Sequence, residues 1–144
     1  MALLTKFLGF CKNVMTNSST PLQTLQVEVT NGELKDDAEH YEPFGFTSNP
    51  PAGSDGLIAF MGGDRSNAVV ICMAGRGSRV TGLAEGDVAI YSQGGAVIKL
   101  VGGNIEIKGD VTVDGDVIAN GISLTKHKHG GVKEGGAETS EPKK

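Results

Sequence analysis

From Ile105 onward the apolar residues recur at a spacing of six. Ile105, Val111 and Val117 form one series, Ile107, Val113 and Ala119 a second, and Gly109-Asp110-Val111 returns as Gly115-Asp116-Val117. Each unit is a pair of apolar residues two apart, which share one face of a strand, followed by a polar corner containing glycine. With Ile122 and Leu124 the row reaches eight residues. A lone ribbon of this kind has nothing to bury its apolar row against. About three units are also too few for a free-standing solenoid, which needs several stacked coils. Three identical chains wound round one axis meet the requirement: each supplies one face of a triangular prism, and three apolar rows fill its centre. At roughly 1.5–3 kcal/mol per buried side chain, such a row is ample to hold a trimer, and closure removes exposed strand edges. The expected architecture here is an intertwined homotrimeric β-helix. Its trimer core is Ile105, Ile107, Val111, Val113, Val117, Ala119, Ile122 and Leu124.

Directly after this row stands His127-Lys128-His129. On a strand, residues i and i+2 point to the same side, so both imidazoles face inward while Lys128 faces water. On a helix they would lie about 200° apart, a poor arrangement for chelation. Two imidazoles make a weak site, but three chains round an axis bring six nitrogens, enough for an octahedron. Structural zinc is almost always four-coordinate. Imidazole also suits iron and nickel, and six-fold coordination favours iron, one ion per trimer. The plainer reading is a pair of solvated histidines near a polar C-terminus. Their position at the end of the expected prism favours the metal, with His127 and His129 as ligands. His40 stands alone and is assigned no chemistry.

The first half of the chain reads differently. Leu4, Phe7, Leu8, Cys11, Val14 and Met15 fall at helical spacing, which predicts a short amphipathic docking helix. Lys6 and Lys12 interrupt the apolar stretch and no small-residue cleavage site follows, unlike a secretory signal. After a polar hinge from Asn17 to Pro21, Leu25, Val27 and Val29 alternate, and Asn31-Gly32 offers a hairpin turn. A second segment runs from Leu34 to Phe46, then a Pro- and Gly-rich loop to Gly56. Leu57–Met61 and Ala68–Ala74 are further strands joined across Gly62-Gly63-Asp64-Arg65. Short strands in this number, with 22 glycines in 144 residues for their turns, suit a small antiparallel barrel of the OB type. Mainly β overall, the chain thus divides into an N-terminal helix or docking arm (1–19), an OB-fold-like domain (20–84), a trimeric β-helix spike with a metal-bound tip (85–132) and a charged tail (133–144).

Several functions find no support. The net charge is −4 and no basic stripe with interleaved aromatics exists, so no nucleic acid partner is expected. No apolar run reaches the length of a membrane-spanning helix. Cys11 and Cys72 do not make a disulfide framework, and Cys72, within the apolar run from Ala68 to Ala74, reads as a small buried hydrophobe. Nucleophile-elbow, zinc-protease and phosphate-loop motifs are missing, and Asp36-Asp37 reads as a solvated loop, so neither an enzyme nor a small-molecule substrate is expected.

The run His40-Tyr41-Glu42-Pro43-Phe44-Gly45-Phe46-Thr47-Ser48, with Gly62-Gly63-Asp64-Arg65-Ser66-Asn67, Leu83-Ala84-Glu85-Gly86-Asp87-Val88-Ala89-Ile90-Tyr91 and His127-Lys128-His129-Gly130-Gly131-Val132, resembles the baseplate spike proteins of Mu-like contractile-tailed phages. These are also described as baseplate assembly protein V, and the likeness covers about residues 20–135. The resemblance implies an OB-fold domain at the tail hub, a trimeric β-helical needle, and an iron ion held by six histidines, His127 and His129 of each chain. It also implies a virion location at the baseplate tip, synthesis in the bacterial cytoplasm, and passage through the host outer membrane when the sheath contracts. The hub and baseplate proteins would be met through the N-terminal region. Family tips tend to end in Gly- and Pro-rich segments, whereas Lys133 to Lys144 here is strongly charged. Rival readings are a spike tip of a pyocin-like or type VI secretion device, a hexapeptide-type β-helix acyltransferase, and a polysaccharide-binding module.

Overall fold

The structure, a computed structural model, describes residues 7–30, 32–131 and 135–136. Apart from one 3-10 turn, Met61–Gly63, every element among the described residues is a strand. The chain divides into two compact units after Gly109.

In the first unit, β1 (Leu8–Asn17), β2 (Thr24–Val29), β3 (Glu33–His40), β4 (Asp55–Phe60) and β5 (Ala68–Ala74) close into a barrel in the order β1-β2-β3-β5-β4. All neighbours are antiparallel except β3 and β5, which run parallel through Glu39↔Val69 and His40↔Val70. This is an OB-fold-like arrangement. Alternation explains the core: Leu25, Val27 and Val29 of β2 turn inward and meet Cys11, Ala38, Ile58, Phe60 and Val70.

The helix expected before residue 20 is instead the first barrel strand, while residues 1–6 lie outside the described residues. β1 pairs on both sides, Leu8–Lys12 with Ala59–Asp55 and Cys11–Asn17 with Val29–Thr24. A bulge between Asn13 and Met15 shifts the register by one, and the helical spacing does not mark the buried face: Cys11 and Asn13 turn inward, whereas Leu8, Val14 and Met15 are exposed. The barrel therefore begins at Leu8, on the N-terminal side of the boundary expected at residue 20. Cys72 departs from its expected burial for a related reason. Cys11 is buried in the core, whereas a second register shift, with Leu57 opposite Cys72 and Ile58 opposite Val70, turns Cys72 out to solvent.

The long connection between β3 and β4 is tied down by buried polar groups. Asn13 Nδ2 donates to the carbonyls of Pro50 (2.8 Å) and Pro51 (3.2 Å), and Gln23 Nε2 to that of Ser48 (2.7 Å). His40 donates from Nδ1 to Gln23 Oε1 at 2.8 Å, since an amide oxygen only accepts. The same unit carries an antiparallel meander of β6 (Val88–Tyr91), β7 (Val97–Val101) and β8 (Asn104–Lys108).

In the second unit the one pairing among the described residues is a short hairpin of β9 (Ile118–Ala119) and β10 (Ile122–Ser123). Its two-residue loop, Asn120-Gly121, has φ of 48° and 81°, the left-handed pair that a tight hairpin turn demands. Among the described residues, 110–117 belong to no strand, so the strand expected at Val111–Val113 is not formed within one chain. A strand exists only through a neighbour. The corners of the six-residue repeat are real nonetheless: Gly109 and Gly115 have φ of 126° and 147°, values that L side chains rarely adopt.

Candidate metal centre and apolar faces

The β9–β10 hairpin sets up the histidines. After Ser123 the chain enters a turn at Leu124–Lys126, closed by the His127 N–H on the Ser123 carbonyl at 3.1 Å. Leu124 N–H donates back across the hairpin to the Val117 carbonyl at 2.8 Å. His127 and His129 thus follow a turn rather than continuing a strand, but their rings still come together, with centroids 5.0 Å apart and planes at 78°. His127 Nδ1 lies 2.9 Å from the Ser123 carbonyl and 3.0 Å from that of Leu124. A carbonyl only accepts, so Nδ1 carries the proton and Nε2 holds the free lone pair.

The ring spacing suits ligands of one metal. With a metal–nitrogen distance of about 2.1 Å, imidazoles on adjacent vertices of an octahedron have centroids roughly 4.6 Å apart, and on opposite vertices roughly 6.5 Å. The 5.0 Å separation is well short of opposite vertices and lies between neighbouring ligands of an octahedron and those of a tetrahedron, roughly 5.3 Å apart. Among the described residues no group of three or more His, Cys, Asp or Glu side chains could hold an ion, so one chain offers two ligands at most from this pair. His40 takes no part. It is buried against Gln23, and burial lowers its pKa, with Glu42 acting weakly the other way.

The apolar row is exposed throughout in the single chain. Ile105 and Ile107 sit on one face of β8; Val111 and Val113 lie outside any strand; Val117 leads into the hairpin, where Ala119 and Ile122 face each other; Leu124 opens the turn. Register reveals companions that the spacing of six does not include. Val88↔Leu100↔Ile105 and Ile90↔Ile98↔Ile107 form two cross-strand rows, so six large apolar side chains share one face of the meander. None is less than 41% exposed, and Ile105 reaches 69%. On the central strand the alternation runs the wrong way for a lone chain, because Ile98 and Leu100 are exposed while Val97, Lys99 and Val101 are half-buried. The alternation of Val88 with Ile90 and the apolar run of β7 were the available signals, but only pairing shows that they share a face with β8.

Comparison with known proteins agrees with this division. Residues 14–77, most of the barrel, match the family model described as Bacteriophage Mu Gp45, N-terminal. Residues 121–142, which begin in the hairpin turn and contain both histidines, match that described as GpV Apex motif. The chain is 33% identical over 84 residues to the baseplate puncturing device gp45 of Escherichia phage Mu, an overlap of 58% of this chain and 43% of that protein. It is 30% identical over 86 residues to the Mu-like prophage FluMu protein gp45 of Haemophilus influenzae, 60% of this chain and 47% of the relative. The overlap is thus under half the length of each of these curated relatives.

Proposed function

We propose that this chain, a relative of the Mu-like baseplate spike proteins, works as a structural, membrane-piercing spike: a homotrimer at the centre of a contractile-tail baseplate in the virion. The observation that carries the reading is the inverted burial of the meander, whose six-residue apolar face is open while the reverse face of its central strand is half-buried. Such a face lowers its free energy by meeting others like it. Two further copies supply the same chemistry, and the exposed row from Val111 to Leu124 asks for the same partners.

The mechanism is mechanical. The barrel end joins the hub and baseplate proteins, and the apex meets the host outer membrane. Apolar side chains from three chains pack along the axis and leave few strand edges to peel under load. At the apex His127 and His129 of each chain, with rings 5.0 Å apart, would hold the ion, and the His127 proton is held on Nδ1 so that Nε2 is free to bind. A shared iron ion would supply a cross-link between three chain ends where force is concentrated, and six imidazoles suit it better than zinc. No step of this action needs a small-molecule substrate or a catalytic group.

Native mass measurement with metal analysis of the same sample tests the reading. A trimer with one iron per three chains is expected. Replacing both His127 and His129 by Ala should remove the metal and lower the melting temperature, while the barrel persists. A double variant that keeps full metal content and the same melting point would rule out these ligands.

A further inference from the structure

Two exposed imidazoles beyond a short turn hold a metal well only if something aims them, since ligating histidines are ordinarily fixed through their second nitrogen. Here that nitrogen is held by backbone carbonyls, and the turn bearing those carbonyls is held by a carboxylate seven residues upstream of Ser123. Asp116 Oδ2 accepts from the Ser123 hydroxyl, and Asp116 Oδ1 accepts from the Thr125 N–H at 3.1 Å. The Ser123 hydroxyl oxygen accepts in turn from the Lys126 N–H at 2.9 Å. Three positions at and around the turn are therefore braced from one side chain: Ser123 and Thr125 directly, Lys126 through Ser123. The Ser123 carbonyl then takes both the backbone N–H and Nδ1–H of His127, and the Leu124 carbonyl shares Nδ1–H.

We infer that Asp116 and Ser123 are positioning residues for His127: they lock the turn whose two carbonyls keep the His127 proton on Nδ1 and its Nε2 lone pair free for metal. The inference rests on the metal reading above for its purpose, though the brace itself is independent of any ion. Asp116 belongs to the Gly115-Asp116-Val117 corner of the six-residue repeat, so one corner of the prism also serves as the anchor of its tip. The hydrogen bond from Ser123, followed by that from the Thr125 backbone, holds the Asp116 carboxyl below its ordinary range, as a carboxylate that accepts two donors should be.

The test uses the full chain with ring-15N histidine, stripped of metal by a chelator and held at a pH where the imidazoles are neutral. In the wild type the ring-nitrogen shifts of His127 should report the Nδ1–H form. Asp116→Ala and Ser123→Ala should each move His127 toward the Nε2–H form that dominates in water, with His129 as internal reference. Ser123→Thr, which keeps the hydroxyl, should restore the wild-type tautomer, and Asp116→Asn, which retains one acceptor, should lie between. Titration with Fe(II) should then show apparent affinity lower by about tenfold in the two alanine variants. Circular dichroism of the barrel and native mass check that each variant is folded and trimeric. An unchanged His127 tautomer in both folded alanine variants overturns the inference. A wild type that shows the Nδ1–H form but takes up no Fe(II) overturns the metal reading and leaves the brace standing.

Discussion

Among single residues, Glu33 shows how charge is used on the barrel. It pairs with Arg65 and, at 2.8 Å, with Lys35, while Arg65 also lies 4.3 Å over the Phe60 ring. Hydrogen bonds from Arg65 first and Lys35 second hold the Glu33 carboxyl down at about 2, against an ordinary 4.5. A carboxyl depressed in the folded state contributes stability that is complete above its unfolded pKa and is lost as pH falls through the folded one. Acid melting followed from pH 5 to 2 should therefore show Glu33→Gln losing less stability across that window than the wild type. The pair is solvent-facing, so the effect is small and should shrink further with salt. Parallel slopes in the two proteins would show that the pairing is not kept in solution. Inward and outward positions on β2 were plain from alternation alone: Leu25, Val27 and Val29 all face in, even though the pairing with β3 shifts register between Leu25 and Val27. The outward position of Cys72 was not, because the register of its strand shifts beside it.

The strands themselves depend on close approaches that composition does not reveal. A Cβ built on Gly56 would stand 2.6 Å from Met73 Sδ and 2.8 Å from the Cys72 backbone oxygen. The sulfur could swing away, but the carbonyl belongs to the neighbouring strand of the closed barrel and cannot do so without opening β4 from β5. Gly56→Ala should cost about 1–3 kcal/mol in thermal or urea melting, the usual scale of overpacking. Gly77→Ala is the matched control, since a Cβ there meets nothing within 4 Å. Equal melting of the two variants would mean that β4 and β5 are not pinned as described. The β9–β10 hairpin belongs to the same level. Asn120-Gly121 turns the chain so that Ala119 and Ile122 share one face, and the same turn carries Ser123 back beside Asp116.

For the whole molecule the decisive quantity is apolar area that one chain leaves in water. The barrel core of Leu25, Val27, Ile58, Phe60 and Val70 is complete within one chain, while the meander face is not. The two should therefore come apart under mutation. Ile98→Asp with Leu100→Asp places two charges at the centre of the open face and should give a monomer whose barrel keeps its β spectrum and its melting transition. Native mass and circular dichroism read both halves of that expectation. A trimer that survives both charges would put the association surface elsewhere. Metal uptake should fall with trimer formation even though both histidines are intact, because each chain contributes only two imidazoles.

Local pattern was enough for whatever depends on residues near in the chain. The spacing of six, the glycine corners at 109 and 115 and the strand signal of β2 are all properties of short windows, and each expresses a backbone period. Tertiary structure decided whatever depends on which segments pair. It made Leu8–Asn17 a barrel strand in place of a helix, because β2 and β4 satisfy that backbone from both sides. It turned Cys72 outward through a register shift, added Val88, Ile90, Ile98 and Leu100 to the open face, and brought Asp116 to the turn ahead of His127. In each case the physical reason is the same. A strand's period is two, so a slip of one residue reverses which side faces in, and that slip is settled by the neighbouring strand rather than by the segment itself.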